Sequence, residues 1–344
     1  QEELGEDWNK TTLYGAFENL LDEIKDDERF RPDLVVYIGG HIVSKKLKSY
    51  LRSLKGVEQI RISQEADIED TFMHLTKVMD LPNSDAMSWL DNFGWHNHWE
   101  DYRKMWMDAL AKSYERKENF KPEFSSLATV KEFFCQLQKV EPQDFKAFTL
   151  GGKDAHDDGI YDRKFDTFLP GMMSSVFSGN SSAIRLMNLY ADRHVYCNRG
   201  VNGIEGSLST AVGFSMCKNK SDKHVYCVLG DLSFFYDQNA LWNRNLNGKL
   251  RIIVLNNGGG AIFGKFQGLK ESQAREEMVM AKHHATAEGI CSQNEVKYLA
   301  AHTMEEMEQG ICQLIHAESE RPMLLEIFTD MDVDNEMLEA IQKC

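Results

Sequence analysis

Two short polar runs hold the residues best suited to chemistry. Gly230-Asp231-Leu232-Ser233 follows the apolar run 225–229, and Asn256-Asn257-Gly258-Gly259-Gly260 follows the apolar run 252–255, with 24 residues between Asp231 and Asn256. Magnesium favours octahedral oxygen coordination and takes one or two protein carboxylates together with phosphate oxygens and water. Asp231, the side chain of Asn257 and the backbone carbonyl of Gly259 supply such a set, and Mn²⁺ would accept the same oxygens. The glycines permit close approach of the backbone to a diphosphate, and Ser233 with the neighbouring N–H groups, including those of Gly230 and Leu232, can donate to its oxygens. Taken alone, a Gly-Asp followed by an Asn-Asn also fits ordinary turns after buried strands.

These loops need a frame. Apolar runs at 172–178, 195–198, 224–229 and 250–255, with helical segments between several of them and a fifth run at 323–328, predict an α/β parallel sheet with helices on both faces. In such a sheet, loops at the carboxyl ends of strands bind ligands. Upstream, residues 34–38 read as a strand ending in Gly39-Gly40, residues 45–54 as a helix and residues 59–62 as a second strand, part of another α/β domain. Gly39-Gly40 lacks the spacing of a dinucleotide fingerprint and reads as a strand end. Residues 67–138 read as mainly helical, with Trp89, Phe93, Trp95, Trp99, Tyr102 and Trp106 used for packing and His96 and His98 as surface or capping residues. The polar, glycine-containing run 151–163 marks a loop or boundary. The expected division is residues 1–150 and 151–344, with His156, Asp157 and Asp158 in an exposed loop.

Composition bounds the function. The 344 residues suit two domains, and 42% hydrophobic residues can bury real cores. A net charge of −15, with no clustered basic stripe, carries no footprint for a nucleic-acid backbone. No apolar run reaches the roughly 18 residues needed to span a bilayer. The seven cysteines are odd in number, scattered and never in a Cys-x-x-Cys pair, which argues against a disulfide framework or zinc site and for a reducing cytoplasm.

The Gly-Asp and Asn-Asn pair resembles the binding motif of thiamine-diphosphate-dependent enzymes, which usually begins Gly-Asp-Gly. The surrounding residues, GDLSFFYDQNAL, VLNNGGGAIF, Gly179-Asn180-Ser181 and NRGVNGIEG at 198–206, are similar to a narrower family within that superfamily, the carboligases of menaquinone biosynthesis, where GDLS replaces GDG. The resemblance is dense from Phe177 to Phe263 and thinner elsewhere. It implies decarboxylation of 2-oxoglutarate and addition of the succinyl carbanion to isochorismate, with the cofactor as electron sink. It also implies Mg²⁺ ligation by Asp231, Asn257 and Gly259. Ile204 would lie under the cofactor, and Ile262 and Phe263 would line the pocket. Arg185 and Arg199 would grip substrate carboxylates through paired charge-assisted hydrogen bonds, with Asn180, Ser181 and Lys45 as further substrate contacts.

The superfamily's catalytic glutamate resides in an N-terminal pyrimidine-binding domain, and the segment before Leu34 is too short to be one. The chain starts at Gln1, so it reads as the C-terminal part of a longer enzyme, expected to be inactive by itself and a homo-oligomer at full length. Two alternatives stay open: another thiamine-diphosphate-dependent 2-oxoacid carboligase or decarboxylase, and a non-catalytic α/β binding module.

Overall fold

The computed structural model describes residues 16–38, 42–64, 68–92, 99–141, 174–200, 203–217, 223–265, 272 and 274–343. Gly39-Gly40, Phe93, Trp95, His96, His98 and the whole run 142–173, with His156, Asp157 and Asp158, lie outside the described residues.

The chain forms two compact units. The smaller, residues 15–120 with 341–344, contains α1 (Ala16–Ile24), β1 (Leu34–Ile38), α2 (Lys45–Ser53), β2 (Glu58–Ser63), β3 (Lys77–Asp80), α3 (Asn83–Asp91) and α4 (Trp99–Asn119). Its strands pair in parallel in the order β1-β2-β3. Side chains alternate across a strand. Accordingly, Leu34, Val36, Ile38, Ile60 and Ile62 pack with Trp89 of α3, whereas Val35 joins Leu20, Leu21, Ile24, Tyr50 and Trp106 from the other helices. Trp106 meets Phe30 edge-on at 5.2 Å, so the aromatic-rich stretch is used for packing where it is described. The reading of 67–138 as mainly helical misses β3, a four-residue strand of polar and partly buried residues without clear alternation.

The larger unit, residues 1–14 and 121–340, contains α5 (Ser126–Val140), β4 (Ser175–Ser178), α6 (Ser182–Tyr190), β5 (Val195–Cys197), α7 (Ser207–Met216), β6 (Val225–Gly230), α8 (Asp231–Tyr236), β7 (Leu250–Asn256), α9 (Glu288–Gln293), β8 (Lys297–Ala301), α10 (Met304–His316), β9 (Met323–Phe328) and α11 (Met331–Gln342, its last two residues falling in the smaller unit). By its contacts α5 belongs here, although it precedes the expected boundary at 150: its Phe133 packs edge-on against Tyr226 of β6.

The sheet is parallel throughout, in the order β5-β4-β6-β7-β9-β8. Both faces are covered, as the continuous apolar runs predict. Val225, Cys227, Leu229, Ile252 and Val254 point towards α7 and Phe234, and Leu325 on the opposite face leaves no room for a side chain at Gly310 of α10. The expected strands are all present; β8 is not announced by the sequence, because an edge strand is only partly buried and lacks a continuous apolar run. After β4 the chain passes to β5 on one side and returns to β6 on the other, a topological switch point at the carboxyl edge where α/β sheets bind ligands.

Candidate cofactor site

Each candidate loop starts where a buried strand ends. Gly230 lies opposite Leu255 in the β6–β7 pairing, so Asp231 and the Asn256-Asn257 pair leave the sheet side by side. Gly179, at the end of β4, donates its N–H to the Val228 carbonyl at 2.8 Å. A Cβ there would come within 2.9 Å of the Leu229 Cβ, so only glycine lets the β4 loop lie this close to β6.

Asp231 is 3% exposed and reaches across to the second loop. Its Oδ1 accepts the N–H of Leu232 at 2.6 Å, and its Oδ2 accepts the N–H of Gly259 at 2.9 Å. Each carboxylate oxygen retains a further acceptor position. The glycine loop is held on its other side by the segment 280–283: Gly260 N–H donates to the Met280 carbonyl at 2.6 Å, and His283 N–H to the Gly258 carbonyl at 2.9 Å. Gly258 and Gly259 have φ of +79° and +152°, and a Cβ on Gly259 would lie 2.6 Å from the Met280 carbonyl oxygen.

The two asparagines divide the work. Asn256 is buried; its amide nitrogen donates to Glu326 Oε1 at 2.7 Å and to the Ala285 carbonyl at 3.0 Å, while its Oδ1 accepts Gly258 N–H at 3.1 Å. Glu326 also accepts from Ala287 N–H and the Tyr298 hydroxyl. Burial, with that Glu326 contact, raises the Tyr298 pKa, so the phenol stays a donor. Asn256 thus shapes the loop. Asn257 instead donates its amide nitrogen to Asp334 Oδ2 at 2.8 Å, which leaves Oδ1 as its remaining polar atom, an acceptor.

The donor set fits a hard cation. Among the described residues no group of three or more His, Cys, Asp or Glu side chains is placed to hold a metal, so a site must draw on neutral oxygens as well. The Asp231 carboxylate, Asn257 Oδ1 and the Gly259 carbonyl are oxygens on two adjoining loops, with the backbone bare at Gly258–Gly260. Beside Asp231, His283 Nε2 is buried without a hydrogen-bond partner among the described residues, 3.3 Å from Asp231 Oδ2. Its Nδ1 accepts Ala285 N–H at 3.1 Å, so in the neutral ring Nε2 carries the proton and is a donor facing the site.

The segment that carries these loops matches a known family of domains. Residues 178–327 match the family described as thiamine pyrophosphate enzyme, C-terminal TPP binding domain. The matched segment lies wholly within the larger unit. Over most of its length the chain is also similar to 2-succinyl-5-enolpyruvyl-6-hydroxy-3-cyclohexene-1-carboxylate synthases. It is 32% identical to that of Phocaeicola vulgatus over 317 residues, 90% of this chain and 49% of the relative. With the Christiangramia forsetii protein it shares 33% over 334 residues, 95% of this chain and 51% of the relative. With the Porphyromonas gingivalis protein it shares 31% over 325 residues, 91% and 50%. The chain spans about half the length of the curated relatives it matches.

The remaining candidates fall as follows. Ser233 is buried and Leu232 half-buried on α8 behind Asp231; Ile262 is half-buried and Phe263 39% exposed in the short 3₁₀ helix Ala261–Lys265 that continues the glycine loop. Ile204 is half-buried, next to Gly203, whose carbonyl accepts from Asn180. Asn180 is 3% exposed and its side chain is fully engaged. Its nitrogen donates to the Asn198 and Gly203 carbonyls, and its Oδ1 accepts from Arg199 Nη1 at 2.8 Å and Cys197 Sγ at 3.5 Å. Burial raises the Cys197 thiol pKa against the pull of Arg199, which keeps it a donor. Asn180 therefore ties Asn198 to Gly203 and orients Arg199. Arg185 Nη1 donates back to the Ser181 carbonyl at 3.0 Å, and Ser181 itself adopts a positive φ of 68° at the start of α6. Lys45 is exposed at the start of α2 in the smaller unit, while its neighbour Lys46 pairs with Asp22 at 2.5 Å. Sequence reasoning missed His283, Asp334 and Glu326; the first two sit in polar stretches without a motif, and the third was visible only as one acid inside the apolar run 323–328.

Proposed function

We propose that this chain is the diphosphate- and Mg²⁺-binding part of a thiamine-diphosphate-dependent synthase that transfers the succinyl unit of 2-oxoglutarate to isochorismate in menaquinone biosynthesis. The hydrogen bond from Gly259 N–H to Asp231 Oδ2 carries the reading, because it locks the two ligand-bearing loops together at the carboxyl edge of the sheet. When bound, thiamine diphosphate supplies the electron sink that makes decarboxylation of a 2-oxo acid feasible. Asp231, Asn257 and the Gly259 carbonyl would hold Mg²⁺ against the diphosphate, which then needs no strong cationic side chain of its own.

Arg199, braced by Asn180, and Arg185, folded over the Ser181 carbonyl, would orient substrate carboxylates. A guanidinium offers two parallel donors to a carboxylate, and both substrates are dicarboxylates. Ser181 would add a hydroxyl contact at the start of α6. Phe263 and Ile262 would exclude water from the cofactor's apolar part. The protein would act as a homo-oligomer, as the likeness to the superfamily implies, in the reducing cytoplasm that its scattered cysteines fit; among the described residues no helix is long and apolar enough to cross a membrane.

Calorimetric titration with thiamine diphosphate, with and without Mg²⁺, tests the cofactor assignment. Binding that requires Mg²⁺ and is weakened at least about 10-fold in Asp231→Ala is expected; Mg²⁺-independent binding, or wild-type affinity in the variant, would overturn it. Consumption of 2-oxoglutarate only when isochorismate is present, by the complete enzyme, tests the substrates.

A further inference from the structure

An asparagine can serve a cation only with its oxygen turned outward, and the two ends of a primary amide are close to the same size. Something must choose between them. At Asn257 the choice is made by a carboxylate far along the chain. Asp334, in the first turns of α11, stands next to the amide and is acceptor-only when ionised. Its oxygens take four donors: Oδ2 accepts Asn257 Nδ2 at 2.8 Å, Ser126 Oγ at 2.7 Å and Thr329 Oγ1 at 3.1 Å, and Oδ1 accepts Ser126 N–H at 2.7 Å.

The surroundings hold Asp334 firmly. Ser126 is the first residue of α5, whose start is capped by the Ser125 hydroxyl on Ala128 N–H. The start of α11 is capped in turn by Asp330 Oδ1, which accepts from Asp332 and Val333 N–H, and Asp334 N–H donates to the Asp330 carbonyl. Three donors fixed from other elements thus orient the carboxylate before Asn257 meets it. Reversing the Asn257 amide would set its oxygen against this carboxylate and remove a charge-assisted hydrogen bond.

We propose that Asp334 is a positioning residue for the cation site: it holds the Asn257 amide with Oδ1 directed to the metal and the amide nitrogen directed away. Nothing in the motif that marks Asp231 and Asn257 identifies it. The inference rests on the cation site proposed above, so its test separates the two. Groups that orient metal ligands typically change metal affinity about 10- to 100-fold when removed.

The probe is Mn²⁺ at saturating thiamine diphosphate, with free Mn²⁺ read from its electron paramagnetic resonance signal, so that no turnover is needed. Asp334→Asn, which can present either an oxygen or an NH₂ to Asn257, is expected to weaken Mn²⁺ binding by about 10-fold or more. Adding Asn257→Asp to it should restore affinity to within about three-fold, because an aspartate presents an oxygen whichever way it turns, while the amide that Asp334→Asn introduces donates to its other oxygen. Ser126→Ala removes one donor from Asp334 but leaves Asn257 alone, and should bind Mn²⁺ within about three-fold of wild type. A merely structural role for Asp334 cannot give this pattern: rescue at position 257 would fail, and Ser126→Ala would weaken binding as much as Asp334→Asn. Either result overturns the inference, as does wild-type affinity in Asp334→Asn when Asp231→Ala has lost the metal. Unchanged affinity in Asp231→Ala itself overturns the cation site, and the inference with it.

Discussion

Asp231 and Gly259, 28 residues apart, are joined by a 2.9 Å hydrogen bond from the glycine N–H to the buried carboxylate. This bond makes one site of two loops. Asp231→Ala removes both a metal ligand and the acceptor that holds the glycine loop. The expected outcome is loss of at least about 10-fold in Mg²⁺-dependent thiamine diphosphate affinity by calorimetry, since losing one of two or three protein ligands weakens a hard-cation site strongly.

Gly259→Ala tests the loop without touching a donor group. The backbone has φ +152°, and the new Cβ would lie 2.6 Å from the Met280 carbonyl oxygen. Strain of this kind costs on the order of 1–3 kcal/mol. A lower Tm together with weaker Mg²⁺ binding is expected; unchanged values for both would show that the loop relaxes freely.

Asp237 offers the contrast. It is 6% exposed, and its carboxylate accepts Ser209 N–H at 2.7 Å and the Ser209 hydroxyl, which secures the first turn of α7. Asp237→Ala should cost about 1–2 kcal/mol of stability, the usual loss for a helix-capping group, in chemical denaturation. Its effect on cofactor affinity should be smaller than that of Asp231→Ala.

Arg199→Lys and Arg185→Lys keep the charge and lose the two-point contact. Hydrogen bonds to charged groups contribute about 1.5–3 kcal/mol, so kcat/KM in the complete enzyme should fall roughly ten- to a hundred-fold for one of the two substrates. Thiamine diphosphate affinity should hardly change. A defect confined to cofactor binding would move these arginines to the diphosphate site.

His224 provides a pH signature of the fold. Burial, then the nearby Arg251 and Lys249, lower its pKa to about 4, with Lys223 adding to the effect and Glu141 opposing it. A histidine neutral in the folded protein and titrating at its ordinary value of 6.5 when unfolded binds protons more readily unfolded. Its contribution is therefore complete above about pH 6.5 and declines as the pH falls towards 4. Wild type should lose on the order of 1–2 kcal/mol more than His224→Gln between pH 7 and pH 5, discounted for its partial exposure, by urea denaturation at the two values.

Much of this protein is legible in its sequence. The largely apolar runs at 225–229, 250–255 and 323–328, broken only by Arg251 and Glu326, point to buried parallel strands, because a strand covered on both faces does not alternate regularly with polar residues. Polar residues and glycines directly after two of those strands then place Asp231, Asn257 and Gly259 at one edge. Residue type does the rest: acid, amide and bare backbone are what a hard cation and a diphosphate require. Local sequence could not reveal what depends on distant partners. It did not show that Asn180 spends its side chain on Asn198, Gly203 and Arg199, that Asn256 serves the glycine loop while Asn257 meets Asp334, or that His283 lies against Asp231. It equally missed β3 and β8, whose residues are too polar or too exposed to announce a strand. Orientation was decided only by the tertiary structure: a hydrogen bond from Asn257 to Asp334 spans 77 residues. Spacing along a chain carries no information about such a contact until the strands between have paired and brought the two side chains to the same edge of the sheet.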